Sequence, residues 1–209
     1  MTAPRRALIV IDAQQEYFDG PLAIRYPSRE ATVAAVVEAV NAAVAAGIPV
    51  VAVQHTGPDG SPVFAAGSAG WRLHPDVEDA VRDAKKIEKR FSSVFPQTGL
   101  AEWLRDQGVD TVTFAGYMTN NCDLASVVDA EALGFGAEVL SDATGAIHLA
   151  NAAGSVSAED LHRTLMVLFQ SNLAAVATTG EWRKALASGA ALEKDNLVAS
   201  ALEGLQRNS

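Results

Sequence analysis

The segment RRALIVIDAQ, residues 5–14, decides the fold class, because it carries an uninterrupted apolar and largely β-branched run that ends at Asp12. A run of this kind, without alternation of polar residues, is typical of a strand buried on both faces of a parallel sheet. Asp12 would then lie at the carboxyl end of the strand, where open parallel sheets form their reactive crevice. The segment therefore predicts an α/β fold and marks a first candidate functional residue.

Helical and strand patterns alternate along the rest of the chain. Residues 30–46 carry valines at helical spacing, with Ser28 available as a cap and Gly47 as a stop. Five further strands are predicted in GIPVVAVQH, KKIEK, DTVTFAG, GAEVLSDA and NLAAVAT. Further helices are predicted at about residues 98–107, from just after Cys122 to Gly134, and in SAEDLHRTLMVLFQ. This alternation predicts a three-layer αβα, doubly wound domain with a mainly parallel six-stranded sheet.

The predicted domain covers residues 1–180, and residues 181–209 form a helical extension. This extension is rich in Ala and Leu that recur roughly on one stripe, so it needs a surface to pack against, and a neighbouring subunit is a candidate. Residues 56–83 are rich in Gly, Pro, Ser and Asp without a sustained period. They are predicted to form a long surface loop of the kind that often has a functional role.

Charge and hydropathy exclude several classes of partner. Sixteen basic and 25 acidic residues give a formal charge of −9, which repels phosphate backbones and anionic lipids, so we expect no nucleic-acid or membrane partner. The longest apolar runs fall short of the ~20 residues that a bilayer crossing needs, and the first residues lack the pattern of a secretory signal. We expect a cytoplasmic protein. The single cysteine cannot form an internal disulfide and is expected to stay reduced.

Three unlike residues are predicted at the carboxyl ends of strands, namely Asp12, Lys89 and Cys122. A helix N-terminus and a nearby lysine both lower the pKa of a thiol, so Cys122 is predicted to be a thiolate nucleophile. Asp12 would act as the acid/base and Lys89 as the electrostatic anchor. Taken singly, each residue has an ordinary alternative: a buried apolar thiol, a turn aspartate and a solvated lysine.

The segments ALIVIDAQQEYF, KRFSSVFPQTGL, AGYMTNNCDLASVVDAEALGF and LSDA together resemble the isochorismatase-like cysteine hydrolases over about residues 6–180. The resemblance implies a catalytic triad of Asp12, Lys89 and Cys122. It also implies a cis peptide bond between Tyr117 and Met118, and an oxyanion hole formed by the backbone N–H groups of Met118 and Cys122. The implied activity is hydrolysis of a small amide or lactam through a thioester, in a homodimer or homotetramer.

The histidines depart from the pattern of the metal-binding members of that superfamily. Nicotinamidases bind a metal through an aspartate and two histidines, whereas here His55 and His74 occur without the Asp-x-His pairing. We therefore expect neither a metal nor another cofactor, and the chain resembles a metal-free branch in which streptothricin hydrolase opens a cyclic amide. The candidate pocket residues are Phe18, His55, Trp71, Phe95 and Tyr117.

Two other functions remain open on the sequence alone. One is isochorismatase-type hydrolysis of another small molecule, and the other is a non-catalytic, redox-sensing α/β protein whose thiol is oxidised. Nucleotide binding is disfavoured because the chain has neither G-x-G-x-x-G nor a P-loop. Asp123, beside the candidate nucleophile, is expected to face solvent at the start of a helix.

Overall fold

The first strand lies at the centre of the molecule, and all six of its residues are buried. The computed structural model describes residues 3–208. The strands of the main sheet are β1 (Arg6–Ile11), β2 (Val50–His55), β3 (Lys85–Lys89), β4 (Thr111–Tyr117), β5 (Gly136–Gly145) and β8 (Ala175–Ala177). They are parallel in the order β3-β2-β1-β4-β5-β8. The predicted six-stranded parallel sheet is therefore confirmed.

Helices cover both faces of this sheet. They are α1 (Glu16–Asp19), α2 (Arg29–Ala45), α3 (Pro75–Ala80), α4 (Leu100–Asp106), α5 (Leu124–Ala132), α6 (Ala158–Leu168), α7 (Thr179–Ser188) and α8 (Leu197–Arg207). Leu8 and Val10 of β1 pack in the core shared with α2, α3 and α7. Ala7 and Ile9 point the other way, into the core shared with α4, α5 and α6, as the two-residue period of a strand requires. The predicted three-layer arrangement is confirmed.

Local signals explain where the long helix α2 begins and ends. The Ser28 hydroxyl accepts a hydrogen bond from the N–H of Ala31 at 3.2 Å, which satisfies one of the free donors of the first turn. Gly47 follows the helix with φ +68°, a conformation that glycine adopts without strain. Val44, which the spacing placed on the inner face, is 64% exposed, since it lies in the last turn of the helix.

The structure differs from the sequence prediction in two connecting regions. Residues 56–83 are not an open loop throughout, because they contain α3 and bury Phe64 and Val77 in the core. β5 runs to Gly145, three residues beyond the predicted end at Asp142, because a register shift lets its last residues pair with the end of β4. A short antiparallel hairpin of β6 (Leu149–Asn151) and β7 (Gly154–Val156) follows, which the sequence patterns did not indicate.

The two C-terminal helices differ in how they pack. The predicted boundary at residue 180 falls within α7, which starts from a capping box of Thr178 and Glu181 and buries Trp182 completely. α8 instead exposes four large apolar side chains: Leu197, Val198, Leu202 and Leu205. The helical C-terminal segment is thus present, with α7 inside the core and α8 on the surface. No helix within residues 3–208 is long and apolar enough to cross a bilayer.

Candidate active site

The ends of strands β1, β3 and β4 set out the candidate site. Asp12 follows β1 directly and adopts φ +45°, which is uncommon for a residue other than glycine. Lys89 is the last residue of β3. β4 approaches β1 closely at Gly116, which has φ +110° and where a Cβ atom would fall 2.0 Å from the Ile11 carbonyl oxygen. Glycine at this position therefore lets β4 carry the following segment past Asp12.

The structure brings Asp12, Lys89 and Cys122 together. Lys89 Nζ lies 2.7 Å from Asp12 Oδ2 in an ion pair whose two side chains are completely buried. The same ammonium group donates to Cys122 Sγ at 3.3 Å and to the Phe91 carbonyl oxygen at 3.0 Å. One cation thus contacts both the carboxylate and the sulfur.

Burial governs the protonation of these groups. Burial raises the pKa of the Cys122 thiol well above its usual range, the negative charge of Asp12 adds to this, and Lys89 only opposes it. Burial therefore opposes the predicted resting thiolate, because desolvation outweighs the opposing charge of Lys89. Burial also raises the pKa of Asp12 against the opposing charge of Lys89. For Lys89 itself, burial lowers the pKa, but the charges of Asp12 and Cys122 outweigh burial and leave it raised.

The backbone around Cys122 has an unusual course. The Tyr117–Met118 peptide bond is cis, as the resemblance implied. A π-helical turn, Thr119–Asp123, then holds Cys122 ahead of α5, with the N–H groups of Asn121 and Asp123 both donating to the Met118 carbonyl oxygen at 3.0 and 3.3 Å. Within residues 3–208, the Met118 N–H makes no hydrogen bond, so it is available as a donor beside the turn.

Two of the five predicted pocket residues, His55 and Tyr117, make polar contacts with buried side chains. His55 is half-buried, and its Nδ1 lies 3.4 Å from Lys89 Nζ. Tyr117 is fully buried, and its hydroxyl lies 2.7 Å from Thr32 Oγ1. Burial, and after it the charge of Lys89, lower the pKa of His55, which favours its neutral ring.

The other three predicted pocket residues lie at different distances from this centre. The Phe18 ring packs edge-on against Tyr117 with centroids 5.6 Å apart, and Trp71 donates from Nε1 to Thr56 Oγ1 at 2.8 Å. Phe95 stacks on Phe135, which directly precedes β5 at the amino ends of the strands. Phe95 therefore lies in the core cluster that also contains Cys122, whereas Phe18 and Tyr117 lie in the cluster on the other face of the sheet.

Sequence reasoning missed Tyr17 and Gln14. Tyr17 is buried, packs against Tyr117 at 5.5 Å and has a pKa well above its usual value, raised first by burial and then by the charges of Cys122 and Asp12. Gln14 exchanges two hydrogen bonds with the backbone of His55 and donates to the Trp71 carbonyl oxygen. Their position just after a strand that ends in a candidate acid was a signal that could have indicated both.

The site is covered in the isolated chain. Cys122 is 3% exposed. The contacts that lead outward from Lys89 are those with half-buried His55 and with Phe91, which is 46% exposed.

The histidines do not form a metal site. His55 faces the Lys89 ammonium group, which repels a cation, and His74 caps α3 through a hydrogen bond from the Asp76 N–H to its Nδ1 at 3.3 Å. Across the part of the chain that the structure describes, no group of three or more His, Cys, Asp or Glu side chains could hold an ion. His55 and His74 therefore do not fit the nicotinamidase type of metal set that was considered from the sequence.

Comparison with known proteins places this geometry in context. The isochorismatase domain model matches residues 6–181. The crystal structure of an isochorismatase candidate from Burkholderia xenovorans LB400 has 47% sequence identity, covers 99% of each chain and superposes with a TM-score of 0.96. An uncharacterized isochorismatase family protein, YddQ of Bacillus subtilis, is 30% identical over 85% of this chain and 98% of its own. Maleamate amidohydrolase of Pseudomonas putida is 44% identical over 62 residues, which are 30% of this chain and 29% of the relative.

Proposed function

Since this chain belongs to the isochorismatase domain family, we propose that it is a cysteine-dependent hydrolase that cleaves the C–N bond of a small amide or lactam through a thioester intermediate. The observation that carries the proposal is the contact of one buried ammonium group, on Lys89, with both Asp12 and Cys122. A nucleophile, a proton acceptor and a fixed cation within bonding reach are the parts that acyl transfer needs.

The neutral thiol of Cys122 sets the order of the proton transfers. As Sγ bonds to the carbonyl carbon, the thiol proton passes to Asp12, and the carbonyl oxygen becomes an oxyanion. The N–H groups of Met118 and Cys122 stabilise this oxyanion, and loss of one such donor typically costs ~10²-fold or more in rate. Asp12 then returns the proton to the leaving nitrogen as the C–N bond breaks.

Water completes the cycle. Asp12, again ionised, takes a proton from a water molecule that attacks the thioester carbonyl, and the proton returns to Sγ as the acid product leaves. Lys89 stays protonated throughout, in agreement with its raised pKa, and offsets the negative charge as it moves between Asp12 and Cys122. The chain supplies every group in these steps, so the proposal includes no metal or organic cofactor.

Amides are the proposed substrate class for two reasons. The chain has a thiol that can carry an acyl group, and maleamate amidohydrolase, which is similar to this chain over 62 residues, has an amide as its substrate by name. Isochorismatase-type hydrolysis of another small molecule is the alternative within the family. A free catalytic thiol suits a reducing compartment, so the proposed place of action is the cytoplasm.

The test is a screen of small amides, lactams and N-carbamoyl compounds for release of ammonia or amine. We expect Cys122→Ala to abolish turnover of any substrate found, and mass spectrometry of the wild type with a slow substrate to show an acyl adduct on Cys122. Cys122→Ser provides a control of nearly the same shape. Full hydrolysis by Cys122→Ala, or a thiol that gains only oxygen, would exclude the proposal and favour redox sensing.

A further inference from the structure

Asp123 follows the proposed nucleophile and is completely buried, contrary to the expectation that it faces solvent. It is the last residue of the π-helical turn, so its side chain turns back toward β5. Its Oδ2 accepts a hydrogen bond from the Thr144 hydroxyl. Its Oδ1 has no hydrogen-bond partner within residues 3–208. A buried carboxyl group with one neutral donor and one unsatisfied oxygen is poorly suited to carry a charge.

The hydrogen bond from Thr144 is part of a longer chain. Thr144 Oγ1 lies 2.8 Å from Thr119 Oγ1, which lies 3.2 Å from His162 Nδ1. This chain joins β5, the π-helical turn and α6. Burial lowers the pKa of His162, although a hydrogen bond with the Ser141 backbone opposes this, so the far end of the chain favours a neutral imidazole.

The charges that act on Asp123 are on the proposed catalytic groups. Burial raises the pKa of Asp123 to about 7, the Thr144 hydrogen bond opposes this, and the negative charge of Asp12 adds to it. Lys89, the cation that would help ionisation, is already paired with Asp12. In return, an ionised Asp123 raises the pKa of the Cys122 thiol. Five titratable groups within residues 3–208 interact electrostatically with Asp123. They are Tyr17 of α1, Asp12 just after β1, Lys89 of β3, Tyr117 of β4 and Cys122 of the π-helical turn.

We propose that Asp123 is a positioning residue that must be protonated for Cys122 to react, so that loss of its proton turns the site off. In the neutral form, the carboxyl group completes the hydroxyl chain of Thr144 and Thr119 and holds the turn without adding a charge. In the ionised form, it places a second negative charge beside the sulfur and the oxyanion. The inference rests on the proposed hydrolase function, but the protonation of Asp123 can be tested without a substrate.

The first test measures the free energy of unfolding of the wild type and of Asp123→Asn by urea denaturation between pH 4 and pH 8. The pKa of Asp123 in the folded protein lies above the usual value of an aspartate, so the native state binds more protons than the unfolded chain within this window. The wild type should therefore lose stability relative to Asp123→Asn as the pH rises from about 4 to about 7. A difference between the two proteins that does not change with pH would overturn the inference.

The second test measures the pH dependence of kcat/KM. With a group of pKa about 7, the protonated fraction of Asp123 falls about tenfold between pH 6 and pH 8, and kcat/KM of the wild type should fall with it. This fall should disappear in Asp123→Asn. In Thr144→Val, which lacks the hydroxyl donor that favours ionisation, it should move to higher pH. The same fall in wild type and Asp123→Asn would overturn the inference.

A third measurement separates this inference from the proposed function. Because Cys122 is the only cysteine, the rate at which iodoacetamide alkylates it can be followed by mass spectrometry at pH 8, with Cys122→Ser as the blank. Asp123→Asn should be alkylated faster than the wild type even if no amide substrate is found, because removal of the ionised carboxylate lowers the pKa of the thiol. Equal rates would contradict the inference, while failure of the substrate screen alone would count only against the amide hydrolase.

Discussion

At the residue scale, Lys89 shows how one buried cation can stabilise two partners of different chemistry. Its stem passes through the core and its Nζ reaches Asp12, Cys122 and the Phe91 carbonyl oxygen. Burying a charge is costly unless it is paired and hydrogen-bonded. These contacts satisfy the ammonium group, so the molecule can keep a fixed positive charge beside its only thiol.

Removing this cation should destabilise the fold in a pH-dependent way. Lys89→Met leaves Asp12 buried without its partner, and breaking a buried pair in this way typically costs about 3–5 kcal/mol. The loss should be larger at pH 8 than at pH 5. Without Lys89 the pKa of Asp12 rises further, and a raised carboxyl pKa gives stability that disappears as the pH increases. Urea unfolding at both pH values measures the effect.

Lys86→Met is the matched control, because Lys86 lies on the same strand but is exposed, and its ammonium group donates to the Val81 carbonyl oxygen. It should change the free energy of unfolding by less than about 1 kcal/mol at either pH. Equal effects of the two substitutions, or a Lys89→Met loss that does not depend on pH, would show that Asp12 does not depend on Lys89 for its charge.

The sequence indicated the meeting of Asp12, Lys89 and Cys122 because each follows a recognisable strand of a parallel sheet. It did not indicate their protonation. Local rules treat a cysteine near a helix start as acidic, whereas the thiol pKa depends on how completely distant elements exclude water. Asp123 was misjudged for the same reason, since its burial depends on Thr144, 21 residues further along the chain.

At the scale of elements, a second buried ion pair fixes the amino ends of the central strands. Arg6 of β1 binds Glu138 of β5 at 2.8 Å with both side chains almost fully buried. Trp182 of α7 donates from Nε1 to the same carboxylate at 3.0 Å. Arg6 also donates to the Ala190 carbonyl oxygen just beyond α7. The network therefore holds α7 on the sheet from the end opposite to the proposed active site.

Breaking this network should destabilise the whole domain. Glu138→Gln leaves the Arg6 guanidinium buried without an anion, and we expect a loss of about 3–5 kcal/mol in the free energy of unfolding. Asp110→Asn is the control, because it breaks the neighbouring but exposed pair with Arg5 and should cost no more than about 1 kcal/mol. Thermal or urea unfolding compares the two. Similar losses would mean that burial does not decide the contribution of the pair.

The elements themselves could be predicted to differing degrees. Continuous apolar runs identified the central strands, and helical spacing with Ser28 and Gly47 identified α2. The helix α3 was hidden because its six residues are too few to show a period, and its cap is a histidine. The β6–β7 hairpin was hidden because its strands are three residues each. The length of β5 depends on a register shift against β4, which local patterns do not encode.

At the scale of the whole molecule, the exposed apolar face of α8 suits association with a second copy of the chain. Val198, Leu202 and Leu205 are spaced by four and three residues, so they share one face, and each is more than half exposed. We expect a homodimer or homotetramer in solution, and light scattering should show a lower mass for the double variant Leu202→Glu and Leu205→Glu.

The double variant should keep its fold, because surface substitutions usually change stability by less than about 0.5 kcal/mol. Val44→Glu is the control, since Val44 is 64% exposed on α2 and belongs to a different surface. It should leave the mass unchanged. If the wild type is a monomer, or if the double variant has the same mass as the wild type, α8 does not mediate assembly.

The cover over Cys122 has a consequence for chemical selectivity in a crowded solution. A sulfur that is 3% exposed and whose thiol pKa is raised by burial offers little to peroxides and alkylating agents, which attack accessible thiolates first. Under the proposed mechanism, a substrate gains reactivity only after it has entered and placed its carbonyl carbon against Sγ, where Asp12 can accept the thiol proton. In that mechanism, substrates are distinguished from unrelated electrophiles when they enter the site, before any covalent bond forms.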